Sequence, residues 1–377
     1  MLSTTIKENN TKKRASFIVL YHSPCSDGWC ALAIAHMWFR SYNLYLDKPY
    51  SSIHANPVYI GVTAGKVESA INKLIEEYNS GAKVLAFDLS FTYNSAKMLF
   101  NYFPDANIYD HHKTTLDCWK QPSNESNQAF SHSVRLFDKK LHYDVSISGA
   151  MLAWKCFYDN EPAPLLVQFV QDRDLWTWKL QNSREINSGI TEAINTIYPY
   201  KPQEGLSYEE QKNRETIHLL DSWGKFMQNQ PDNWVSSAYM AGSIISNITK
   251  RKVKQISRNG AGYLINGDRV YVCNTNDYIS EIGELYYSLT VNGDKETQYQ
   301  YDYVVIWRYD QQRDVCMVSM RTRQNSNTDV SQIAQQFSYI DSDGNSVCGG
   351  GHKAAAGFEV NLEKLFQWIG TNKLSRP

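Results

Sequence analysis

The sequence predicts an α/β protein in two lobes, an N-terminal parallel sheet covered by helices and a smaller C-terminal α/β domain. Three observations carry this. Short apolar runs that read as buried strands alternate with helix-length segments through the first half of the chain. Three of those runs end on acidic or imidazole side chains, the place where open parallel sheets bind ligands. After a long helical stretch, β-like runs return near the C-terminus, and 377 residues suffice for two cores.

Residues 1–14 are polar, with late Lys and Arg and no apolar h-region, so they are expected to be a disordered tail and not a secretory signal. Ser16–Tyr21 is a continuous apolar strand running into His22-Ser23-Pro24-Cys25-Ser26-Asp27-Gly28. Trp29–Arg40 is a helix too apolar to be one-sided, whereas Val67–Tyr78 places Val67, Ile71, Leu74, Ile75 and Tyr78 on one helical face. Strand Val84–Phe87 ends on Asp88, and helix Tyr93–Asn101 comes next. Strand Ala106–Tyr109 leads into Asp110-His111-His112-Lys113. Residues 117–146 are weakly patterned, with Pro122–Asn127 marking a surface loop. Ser148–Tyr158 and Pro164–Val170 read as helices packing onto the sheet.

The first lobe is expected over 15–200, a helical connector over 201–258 and the second lobe over 259–377. The second lobe carries strands Val270–Cys273, Tyr301–Trp307 and Val315–Met320, with helices Ile279–Leu289 and Val330–Phe337 between them. Lys250–Lys254 is expected to be a solvated helix face. Trp176 and Trp178 are expected in core packing, and His36 and His54 as ordinary surface or core residues.

Bulk composition narrows the partners. A net charge of −1 provides no global basic field, so any contact with a polyanion must be local. Seven Cys at irregular spacing, with no CxxC pair, suggest reduced thiols and a cytoplasmic location. No apolar run approaches the roughly 20 residues of a membrane span, so no membrane partner is expected. Twenty-five Tyr and ten Trp offer surfaces on which bases could stack.

The strand-end residues suggest a chemistry. His22, Asp27, Asp88, Asp110, His111 and His112 would converge on one crevice, and Leu165–Val170 brings up a further acidic pair in Gln171-Asp172-Arg173-Asp174. Unpaired carboxylates so placed would repel one another and raise their pKa values. Divalent cations remove the problem, and oxygen and imidazole donors without clustered thiolates suit Mn²⁺ or Mg²⁺ better than structural Zn²⁺.

These segments, in this order, resemble the DHH phosphoesterase family. Gly349-Gly350-Gly351-His352-Lys353-Ala354-Ala355-Ala356-Gly357, with Val318-Ser319-Met320-Arg321 and Asp329–Ala334 before it, resembles the DHHA1 domain that accompanies many of those enzymes. The resemblance spans residues 15–365. It implies two metal ions, Mn²⁺ with Mg²⁺ as the alternative. His22 and Asp88 would hold one and Asp27, Asp88, His111 and Asp172 the other, with Asp88 bridging. Asp172 aligns with the family's ligand, while Asp174 lies close by. Asp110 would orient an imidazole of a metal-bound His, and His112 would face the substrate phosphate.

One departure stands out. Cys25 occupies the position of the family's first Asp, one residue nearer His22. It either ligates metal, stands beside a water that does, or marks a weak site. In the second lobe, Gly349, Gly350 and Gly351 would bring backbone N–H groups to a phosphate, and a helix starting near His352 would add its N-terminal field. Arg321 and His352 would grip the phosphate or base.

The resemblance implies a phosphodiesterase, akin to an oligoribonuclease, that hydrolyses short single-stranded oligonucleotides or small linear or cyclic dinucleotides by metal-activated water. A homodimer is compatible with it. Two alternatives stand beside this reading. One is a polyphosphate hydrolase, against which the DHHA1-like tail argues, and the other is a nucleotide-binding sensor that has lost turnover.

Overall fold

The computed structural model describes residues 12–45, 57–63, 65–113, 115, 139–159, 161–288, 290–291, 298–340, 346–347 and 349–374. Residues 1–11 of the expected tail, His54, the loop Pro122–Asn127 and Leu289 lie outside the described residues. The chain divides into two compact units, Met1–Ser246 and Asn247–Pro377.

The first unit is built on five parallel strands, β1 (Phe17–His22), β2 (Val58–Val62), β3 (Lys83–Phe87), β4 (Asn107–Asp110) and β5 (Leu141–Tyr143), in the order β2-β1-β3-β4-β5. The central strands are near-continuous apolar runs because both sheet faces are covered. Helix α1 (Ser26–Tyr45) follows β1, and α2 (Val67–Glu77) and α3 (Tyr93–Tyr102) follow β2 and β3. Then come α4 (Gly149–Tyr158), α5 (Leu165–Asp174), α6 (Ser183–Ile197), α7 (Tyr208–Met227) and α8 (Trp234–Ile256). Alternation along the strands divides the core. Ile18, Leu20, Val84 and Ala86 pack with α2 and α3, while Val19, Leu85 and Phe87 pack with α1 and α4 to α7.

Strands β2 and β5 and helix α6 have no counterpart in the sequence reading. β2 is a half-buried edge strand containing Gly61, and β5 has three residues, so neither shows a strong apolar run. The expected connector over 201–258 does not stand apart. Ser207 and Glu210 cap α7 reciprocally, and its Leu220, Trp223 and Phe226 join Trp234 in the α1 core of the first unit. The apolar face of α7 gains more by that burial than by standing in water. His36 is buried, pairs with Tyr59 Oη and Asp221 Oδ1 at 2.9 Å each, and so ties α1 to β2 and α7. Arg40 donates to both oxygens of Asp221, at 2.5 and 2.6 Å.

The second unit holds β6 (Ala261–Ile265), β7 (Asp268–Asn274), β8 (Tyr303–Asp310), β9 (Val315–Arg321), β10 (Gly350–His352) and β11 (Ala355–Val360), in the order β10-β11-β9-β8-β7-β6. Only β7 and β8 pair in parallel, and α9 (Ile279–Tyr287) lies in the crossover between them. Helices α10 (Val330–Gln335) and α11 (Leu362–Ile369) cover the face carrying Val318, Met320, Phe358 and Val360. Lys250, Arg251, Lys252 and Lys254 are exposed while Val253 is buried, the pattern of a solvated helix face.

The glycine segment departs from expectation. No helix starts at His352; β10 and β11 form a hairpin that pairs Gly350 with Gly357, Gly351 with Ala356 and His352 with Ala355. Gly349 serves packing: its N–H donates to Ser338 Oγ at 3.0 Å, and a Cβ there would strike the Ala334 carbonyl of α10.

Candidate metal centre

Strand order positions the site. The chain leaves β1 for β2 on one side and reaches β3 on the other, so the connections diverge beyond the carboxyl ends of β1 and β3 and leave a crevice there. His22 closes β1, Asp88 follows β3 and Asp110 closes β4. Asp88 is buried and its backbone is left-handed, at φ 61°, a conformation Asp tolerates better than most residues.

Each Asp88 oxygen meets a different imidazole. Oδ2 lies 3.2 Å from His22 Nδ1, and Oδ1 lies 3.1 Å from His111 Nε2. His111 Nε2 also stands 3.9 Å from Asp27 Oδ2 and 3.6 Å from Asp174 Oδ2. His22–Cys25–Asp88 and Asp27–His111–Asp174 form donor groups here, and Asp88–Asp110–His112 a third, each with its donor atoms within 4.8 Å of one another.

Helix α4 supports the acids from behind. Ser148 caps it, Ala150 N–H donates to Asp27 Oδ1 at 3.1 Å, and a Cβ on Gly149 would lie 2.5 Å from Asp88 Cβ and 2.9 Å from Asp27 Oδ2. Gly28 plays the same part at the start of α1, where a Cβ would lie 2.9 Å from the His22 Cβ. The sequence reading assigned neither glycine, nor Ser148, to the site. A Ser preceding a helix was the available signal.

The predicted residues divide. His22, Cys25, Asp27, Asp88 and His111 lie close together in the first two of these groups. Asp172 does not, and this corrects its assignment as a ligand. Its Oδ1 accepts from Lys179 N–H at 2.8 Å and from Thr177 Oγ1, and its Oδ2 accepts from Leu180 N–H at 3.1 Å, so it organises the loop after α5. Asp174 takes the position beside His111. Two residues apart on a helix, the two carboxylates point to different sides, which no spacing rule could choose between.

Asp110 also acts differently in detail. It is bonded to His112 Nδ1 at 2.7 Å and to Thr115 Oγ1, so the imidazole it orients is that of His112. Trp176 and Trp178 are half-exposed and stand outside the core clusters. Both have left-handed backbones, at φ 55° and 51°, and the Arg184 guanidinium sits 4.3 Å from the Trp178 ring centroid.

The charges are strongly coupled. Burial and the Asp88 charge push Asp27 up to about 6, against His111, Ser148 and Ala150, which favour its ionised form. Burial, then Asp27 and Asp88, push Asp174 well above the carboxylate range. Burial opposes ionisation of Asp88, yet bonds from His111 and His22 hold it well below that range. Burial would lower His111, but the Asp88 bond and the Asp174, Asp88 and Asp27 charges outweigh it and raise His111 to about 10. Burial and the same three acids push the Cys25 thiol up.

These residues fit divalent cations. Asp27 Oδ2 and Asp174 Oδ2 are buried and accept no hydrogen bond among the described residues, although both stand within 4 Å of His111. Buried carboxylate oxygens without donors are costly unless a cation compensates them.

In the second unit, Arg321 pairs across the sheet with Ala355, which pairs in turn with His352. Directly opposed residues share a sheet face, so Arg321 and His352 belong to one row despite the missing helix. Arg321 donates to Met320 O at 2.8 Å.

No family model matches the chain. An uncharacterized protein, R106, of Acanthamoeba polyphaga mimivirus is 25% identical over 365 residues, covering 94% of this chain and 72% of the relative. Among solved structures, a DHH-domain member of the S1p family of ribosomal proteins aligns over 95% of this chain and 86% of its own, with 14% identity and a TM-score of 0.48. The pGpG-specific phosphodiesterase PggH of Vibrio cholerae aligns over 93% and 95%, with 11% identity and a TM-score of 0.38. An exopolyphosphatase-related protein of Bacteroides fragilis aligns over 94% and 89%, with 14% identity and a TM-score of 0.37. No helix among the described residues is long and apolar enough to cross a membrane.

Proposed function

We propose that the chain is a metal-dependent phosphoesterase of the DHH type, acting on phosphodiesters in short single-stranded oligonucleotides or small linear or cyclic dinucleotides. The observation that carries this is Asp88. Its two oxygens face two imidazoles of separate donor groups, and beside it one buried oxygen of Asp27 and one of Asp174 lack hydrogen-bond donors among the described residues. His22 and Asp88 would hold one divalent cation, and Asp27, Asp88, His111 and Asp174 a second. Bound there, Mn²⁺ or Mg²⁺ would neutralise phosphate charge and lower the pKa of water at the site.

The chain's own groups do the positioning. Asp88 stays ionised because both imidazoles favour its charge. Ala150 N–H and the start of α4 direct Asp27 inward. Asp110 fixes the ring of His112 through Nδ1, which selects the tautomer of a residue suited to meet a phosphate oxygen. In the second unit, Arg321 and His352, in one row of the sheet, would meet the same class of substrate.

The test is chromatographic. Purified protein is incubated with a 5′-phosphorylated dinucleotide in Mn²⁺ and, in parallel, in EDTA. Mononucleotide formed only with Mn²⁺ is the expected result. Tight nucleotide binding without product would favour a sensor, and phosphate released from polyphosphate alone would favour an anhydride hydrolase.

A further inference from the structure

Cys25 stands where a cysteine is hard to explain as structure. It precedes α1, its carbonyl accepts from Trp29 N–H at 3.0 Å, and its sulfur accepts from Gly28 N–H, so it is the N-terminal cap of that helix. Ser, Thr, Asp and Asn are the strongly preferred residues at that position, and a thiol is a poor acceptor. Cysteine elsewhere commonly serves as a small apolar residue, as Cys30 does one turn along the same helix, fully buried among Ala31, Leu32 and Ile34. Cys25 has different company. Its Sγ lies within 4.8 Å of the donor atoms of His22 and Asp88, which pair with each other at 3.2 Å, and it stands outside the apolar core clusters. Asp88 belongs at once to this group and, through His111, to the neighbouring group in which two buried carboxylate oxygens lack donors.

We infer that the centre is chemically asymmetric: His22, Cys25 and Asp88 form a position with a thiolate donor that selects thiophilic divalent cations, beside an all oxygen-and-nitrogen position from Asp27, His111 and Asp174. This rests on the metal centre proposed above and adds the identity of the cation each position prefers. Sulfur donors favour Zn²⁺, Co²⁺ and Fe²⁺ over Mg²⁺, whereas the second donor set is compatible with Mn²⁺ and Mg²⁺. On loading, the Cys25 S–H proton leaves to solvent and the sulfur lone pair forms the bond to the cation; no redox change is involved.

Cobalt reads this directly. The full-length protein is stripped with chelator and titrated with Co²⁺ alone, while near-ultraviolet thiolate-to-cobalt charge-transfer absorption and bound cobalt are both recorded. The wild type is expected to develop the band. Cys25→Ser is expected to lose it entirely while still binding cobalt at the other position, and Asp174→Asn to keep the band while binding less. Cys25→Asp should lose the band and shift the competition between Mg²⁺ and Co²⁺ toward Mg²⁺. Cobalt bound by the wild type without a band, or a band that persists in Cys25→Ser, would overturn the thiolate position and leave the metal centre standing. Absence of any bound cobalt would overturn both.

Discussion

At the carboxyl ends of β1, β3 and β4, the first unit leaves side chains facing one another across a crevice, whereas the glycine segment of the second unit turns its backbone groups on itself. Parallel strands end together and their connections diverge, so His22, Asp88 and Asp110 meet there beside Asp27 and Asp174, whose buried Oδ2 atoms lack donors among the described residues. Gly350, Gly351 and His352 instead lie in an antiparallel hairpin, and the N–H of Gly349 is taken by Ser338. Open strand ends create binding chemistry; a closed hairpin consumes it. The glycines of the second unit therefore read as a packing device.

That contrast can be broken most decisively at His111. His111→Ala is expected to abolish hydrolysis and metal uptake at the oxygen-rich position, with the circular dichroism spectrum unchanged. Near-normal turnover in a folded variant would remove the metal centre from consideration.

The two acids at the end of α5 sharpen it next. Asp174→Asn should reduce bound metal and turnover severely with little change in melting temperature. Asp172→Asn should do the reverse, since lost pairing of its buried loop contacts costs about 1–3 kcal/mol while metal is retained. Asp172 is held below the usual carboxylate range: burial opposes its ionisation, but bonds from Ser183, Thr177, Lys179 and Leu180 outweigh it. Its stabilisation is therefore present above the unfolded carboxylate pKa and lost as pH falls through the lowered folded value. Paired melting and metal-content measurements on the two variants decide the assignment, and exchanged phenotypes would restore Asp172 as the ligand.

Proton linkage gives a third handle. With Asp27 raised to about 6 and His111 to about 10, the metal-free protein holds protons that an entering cation must displace. Apparent metal affinity should rise steadily with pH across the neutral range, and binding in weak buffer should release protons detectable by calorimetry. The same shifts set the stability of the metal-free form. Both folded values lie above the unfolded ones, so the Asp27 contribution is lost as pH rises through about 6, and the His111 contribution as pH rises toward about 10. A metal-free melting temperature that climbs with pH over this range would contradict the coupling.

The smallest effects should come from the glycines, and they separate the two units. Gly149→Ala forces a methyl against Asp88 and Asp27, and displacing groups that support ligands should weaken metal binding about 10- to 100-fold. Gly349→Ala meets the Ala334 carbonyl and should cost about 1–3 kcal/mol of stability in the second unit, with metal content unchanged. Metal loss in Gly349→Ala without unfolding would return the glycine segment to a direct role.

Local sequence determined the elements and the kinds of donor they carry. Apolar runs at 16–21, 84–87 and 106–109 read as buried strands, and the residues just beyond their ends, His22, Asp88 and Asp110-His111, had to emerge at one sheet end once the strands were parallel. The order and chemistry of those segments sufficed for the two-lobed α/β class and for the side chains that gather at the strand ends. Tertiary structure alone decided the rest, because each remaining choice depends on what lies across space. Asp174 and Asp172 differ only in which side of α5 faces the crevice. Gly149 became part of the centre because α4 packs against Asp88, a residue far from it in sequence. The glycine run became a hairpin because Ala355 to Val360 found β9 as a partner, and α7 joined the first core because its Leu220 and Trp223 met α1 there. Periodicity and local chemistry choose the elements; which donors remain without partners is settled only when the chain has packed.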